Sequence, residues 1–91
     1  MRLNDVLIWD SVAKAVAYRV RCRSSNKVLV AAANTTETFM PISGFLDGRA
    51  YGNYLFDIRY QDASGVRSDW SECFIDNYEG PVPENLNIRL Q

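Results

Sequence analysis

The chain has 91 residues, 47% of them hydrophobic and 12% aromatic, with 10 basic and 11 acidic side chains and no histidine. That composition suits one small domain with a genuine core, which excludes wholesale disorder. A net charge of −1 excludes the basic excess that nucleic-acid binding usually needs, and the missing histidine removes the commonest general base and metal ligand.

The period along the chain is two almost throughout. "MRLNDVLIWD" holds no signal-peptide core, because Asn4 and Asp5 interrupt it, and no apolar run approaches the ~20 residues of a membrane span. The expected location is therefore the cytoplasm or an assembled particle such as a virion. "DVLIWD" reads as a well-buried strand, with Asp5, Leu7 and Trp9 on one face and Val6 and Ile8 on the other. "SVAKAVAY" is the one stretch of local helix formers, and it suits a turn into a strand equally well. "AYRVRCR" alternates strictly: Tyr18, Val20 and Cys22 point inward, and Arg19, Arg21 and Arg23 outward. "SSN" is a turn before a strand in "KVLVAA". "TTETFMPIS" is extended, with Pro41 marking an edge or a strand end.

"YLFDIRYQ" alternates again, placing Tyr54, Phe56, Ile58 and Tyr60 inward and Asp57, Arg59 and Gln61 outward. "DASG" is a hairpin turn with Gly65 at positive φ, and "SDWSECFI" is the returning strand. After the turn "YEGP", the stretch "NLNIRL" is a terminal strand whose Leu86, Ile88 and Leu90 face a core. About seven short strands, with turns every ~8–12 residues, make an all-β sandwich or small barrel.

Several of these stretches carry a resemblance. "LIWDSVAKAVAYRV" supplies Trp9, Tyr18 and Val20 in the order and spacing of the second and third strands of a fibronectin type III domain. "ISGFLDGRAY" at residues 42–51, the alternation of "YLFDIRY" and the loop "DASGVRSDWSE" follow the same family, so the chain resembles it over nearly its whole length. The resemblance implies a fibronectin type III or immunoglobulin-like antiparallel β-sandwich. It implies Trp9 as the core's anchor against Tyr18, Val20 and Ile58, and a corner hydrogen bond from either Tyr51 or Tyr54. In the family a first strand, introduced by prolines, precedes the tryptophan strand. Here its counterpart "PVPENLNIRL" comes last, so residues 1–77 read as a core lacking its first strand and 78–91 as a turn plus that strand. Three destinations are open to it: its own domain's slot, a hairpin on the preceding strand, or the slot of the next copy.

"GVRSDWS" resembles the tryptophan–serine motif of cytokine-receptor domains, which implies that Arg59 stacks on Trp70. Arg19, Arg21 and Arg23 form a basic stripe that Asp57 or an acidic partner must offset. In the family arrangement Cys22 and Cys73 lie two strands apart, too far for a disulfide, so free buried thiols are expected. Asn34-Thr35-Thr36 is a formal glycosylation sequon that reads as a turn. No catalytic constellation, cofactor motif or metal-spaced ligand set is present.

The function implied is a non-enzymatic assembly module acting through protein contacts, as a homo-oligomer or within a larger assembly. Small domains of this family without signal peptides resemble those on phage capsids and tails, so a virion component is the expected setting. The interface candidates are Leu86, Ile88, Leu90, Arg19, Arg21, Arg23, Arg59 and Trp70. The alternatives are a carbohydrate- or protein-binding adhesion module using Trp70, Tyr51 and Tyr78, and a domain cut from a tandem array.

Overall fold

Alternation of apolar and polar side chains runs through much of the two longest strands of the computed structural model, which describes residues 1–81 and 88–91. In chain order the elements are β1 (Val6–Ile8), β2 (Ala15–Ser24), β3 (Leu29–Thr35), β4 (Phe39–Pro41), α1 (Ser43–Leu46), β5 (Gly52–Asp62) and β6 (Phe74–Tyr78). The fold is all-β with two antiparallel sheets. One pairs β1 with β4, and the other runs β3-β2-β5-β6. Of the expected terminal strand "NLNIRL", residues 85–87 lie outside the described residues. Ile88 and Leu90, beyond them, are fully exposed and belong to no strand.

β2 and β5 form the spine of the larger sheet. Their register sets Val20 opposite Ile58 and Cys22 opposite Phe56 on the inner face, and Arg19 opposite Arg59 and Arg21 opposite Asp57 on the outer. The inward set of β2 is buried as its alternation predicts. The core closes over it with Ile42 and Leu46, which have essentially no exposed surface. Leu7, Trp9 and Met40 of the smaller sheet pack against that cluster.

Four expectations change. β1 is only three residues long, and its second face is not buried: Val6 is 49% and Ile8 80% exposed. Trp9 is half-buried at the margin of the core, edge-on to Tyr18 at 5.7 Å, rather than at its centre. Asp57 is buried although it lies on the outward face. The returning strand starts late: residues 68–73 are not strand, and β6 begins at Phe74.

The turn "DASG" forms as its residues require. Gly65 has φ 83, and Asp62 Oδ1 accepts the backbone N–H groups of Ser64 and Val66. α1 was not legible in the sequence, since one helical turn is too short for periodicity to reveal. It is held by Leu46 N–H donating to Ile42 and it buries Phe45 and Leu46. Of the two corner candidates, the Tyr54 hydroxyl makes the bond, donating to the Ala50 carbonyl at 2.6 Å. Tyr51 is exposed and packs on the Tyr78 ring at 5.0 Å.

Candidate functional site

Two surfaces combine unusual chemistry with exposure. The first follows from the shortness of the β1–β4 sheet. β1 pairs with β4 alone, so its other edge carries unpaired backbone groups among the described residues. Beneath that edge an apolar cleft of about 500 Å³ opens between the sheets, floored by Leu7, Trp9, Val20, Ile42, Phe56 and Ile58. Asp5 and Glu72 stand among its lining residues and give it an acidic margin, while Asp76, also there, is paired with the Met1 amino group. Trp9 Nε1 is buried with no hydrogen-bond partner among the described residues, a donor left without an acceptor at a cost of about 1–3 kcal/mol.

The outer edge of β6 is partly occupied. The Met1 amino group donates to the Asn77 carbonyl at 2.7 Å and Glu79 N–H donates to the Met1 carbonyl at 3.0 Å. The same amino group pairs with Asp76 at 3.2 Å. The Asn77 backbone N–H and this amino group together hold the Asp76 carboxyl below the usual carboxylate range.

The second surface is the outer face of the larger sheet. Arg21 grips Asp57 through two hydrogen bonds, at 2.8 and 3.0 Å, and Arg23 adds a third at 2.9 Å. The hydrogen bond to Asp57 raises the Arg21 pKa further, keeping that guanidinium charged. Trp70 lies across the stripe with the Arg21 guanidinium 4.0 Å and the Arg59 guanidinium 4.5 Å from its ring centroid. The stacking partner implied for Arg59 is in place, and Arg21, closer still, was missed.

Serine chemistry holds Trp70 there. Ser68 and Ser71 each donate a backbone N–H to β5, at Tyr60 and Ile58, and each hydroxyl accepts the N–H of the same β5 residue at 2.9–3.0 Å. The hydroxyls replace the carbonyls a regular strand would offer, so the segment stays bonded to the sheet without being strand.

Of the residues singled out by sequence, Arg19, Arg21, Arg23, Arg59 and Trp70 share this face. Ile88 and Leu90 are not brought to it, and Leu86 lies outside the described residues. Both cysteines are free, but only Cys22 is buried; Cys73, in the irregular segment before β6, is exposed. Among the described residues no group of three metal-ligating side chains converges, and no helix is long and apolar enough to cross a membrane. No family model, curated protein or solved structure matches the chain.

Proposed function

We propose that this chain is a non-enzymatic assembly module whose body is a fibronectin type III-like sandwich with its first-strand place empty. The terminal strand of a second copy fills that place. The observation that carries the reading is the open edge of β1 above an apolar cleft. The sheet order β3-β2-β5-β6 facing β1-β4 supports the family likeness, as does the Tyr54 corner bond. The occupant is residues 84–90. Their alternation carries Leu86, Ile88 and Leu90 toward one face, and Ile88 and Leu90 are fully exposed on the isolated chain. Arg89, between them, suits the acidic margin of the cleft.

Strand addition of this kind takes affinity from main-chain pairing and specificity from alternate side chains. Burying each aliphatic side chain contributes ~1.5–3 kcal/mol. The hairpin alternative is less favoured because Met1 already occupies part of the β6 edge. A head-to-tail contact closes into a ring or grows into a filament, which suits the virion setting, a capsid decoration or tail component, that the resemblance implies. The carbohydrate alternative finds no support in the rings: Arg21 and Arg59 lie over Trp70, and Tyr51 packs on Tyr78.

Light-scattering mass over a concentration series tests the reading. The full chain should grow in mass, while a truncation after Pro81 and the full-length Ile88→Asp variant should stay monomeric. A full chain that remains monomeric at high concentration, with a truncation of equal stability, overturns strand donation.

A further inference from the structure

The larger sheet balances its charges unevenly. Its one buried carboxylate, Asp57, is engaged with Arg21 and Arg23. One step along, Arg19 and Arg59 sit directly opposite each other on antiparallel β2 and β5, where like charges destabilise the pairing. Arg67 joins them through its bridge to Gln61. These three arginines, with Asn34, Gln61 and Tyr60, line a recess of about 380 Å³.

Among the described residues no carboxylate forms an ion pair with any of the three. The Arg19 guanidinium donates only to the neutral Asn34 amide, at 3.0 Å. The acids nearest in sequence are engaged elsewhere: Asp62 accepts N–H groups within its turn and Asp69 accepts the Trp70 N–H.

We propose that this recess binds an oxyanion, a carboxylate, sulfate or phosphate carried on a small polar body. Guanidinium forks match such groups in geometry as well as charge. A bare inorganic ion leaves most of the recess open, and its volume is that of a small-molecule site. The Asn34 and Gln61 amides suit a polar body. The bound anion bridges Arg19 and Arg59 and converts a repulsive cross-strand pair into an attractive one. This site is independent of the β1 cleft and survives the failure of strand donation.

The test is titration of the full chain with citrate, inorganic phosphate and inorganic sulfate, read by amide NMR shifts and melting temperature, against chloride at matched ionic strength. An end-blocked glutamate-rich peptide forms a separate arm. Saturable shifts at Arg19, Arg59 and Arg67, with a melting temperature raised above the chloride control, are expected. Binding by small anions assigns a free acid as the ligand, and binding by the peptide alone overturns a small-molecule site. Arg19→Gln and Arg67→Gln should each weaken binding about tenfold or more. Arg19→Gln should also raise the ligand-free melting temperature by removing the like-charge contact. Arg59 is left intact because it also stacks on Trp70. Shifts equal to those in chloride, or unchanged in Arg19→Gln, overturn the proposal.

Discussion

The two tyrosines at the start of β5 differ by one hydrogen bond. The Tyr54 ring is buried and its hydroxyl donates to Ala50, whereas the Tyr51 ring is exposed. Tyr54→Phe should therefore cost ~1 kcal/mol and lower the denaturant midpoint, while Tyr51→Phe should leave it nearly unmoved. Equal effects would assign the corner wrongly. The two thiols differ as sharply. Cys73 should react with an alkylating reagent in the native protein, and Cys22 only after unfolding. Burial pushes the Cys22 thiol up to about 11, from 9.0 when exposed, and burial also raises the Tyr78 hydroxyl. The folded state thus holds these protons more tightly than the unfolded chain. The Cys22 contribution is complete below about pH 9 and is lost as pH rises toward 11. Denaturation midpoints should fall across that window, and Cys22→Ala should flatten part of the fall.

Among the elements, the segment 68–73 shows how a sheet edge is held without a regular strand. Ser68 and Ser71 each return a hydroxyl to a β5 N–H, so either serine changed to alanine leaves that amide without its acceptor. We expect a loss of ~1 kcal/mol each, with faster hydrogen exchange at Tyr60 for Ser68→Ala and at Ile58 for Ser71→Ala. Exchange that accelerates uniformly along β5 would point to general loosening instead. The surroundings of the core also differ in depth. Leu46 on α1 is wholly buried and Trp9 beyond β1 only half so. Leu46→Ala should therefore cost ~2–5 kcal/mol, and Trp9→Ala less. The reverse order, by chemical denaturation, would show the tryptophan to be the anchor that sequence alone implies.

At the scale of the molecule, the β1–β4 sheet is the thin side. Two three-residue strands cover one face of a four-stranded sheet, leaving Val6, Ile8 and Phe74 about half exposed or more around the cleft. A seventh strand on β1 would widen that sheet and cover the cleft, so oligomer formation and stability should rise together with concentration. A melting temperature independent of concentration while mass grows would place the contact elsewhere. The truncation that tests this must keep Tyr78 and Gly80, because Tyr78 is in the core and Gly80 lies against the Tyr51 ring.

Alternation by itself determined the all-β class, the inward faces of β2 and β5, and the hairpin at Gly65. Side-chain period and turn chemistry are local properties, and they survive any arrangement of the strands. The stacking of Arg59 on Trp70 was reached by another route, from the resemblance of "GVRSDWS" to a motif whose aromatic ring takes guanidinium groups from the neighbouring strand. Which tyrosine makes the corner bond, and why Asp57 is buried, depended on partners distant in sequence. Asp57 reads as one more outward residue of β5 until cross-strand register brings Arg21 and Arg23 around it. The unbalanced pairing of Arg19 with Arg59 is likewise invisible in a list of charges. Only the tertiary structure decided it, because whether two like charges meet depends on register between strands about forty residues apart.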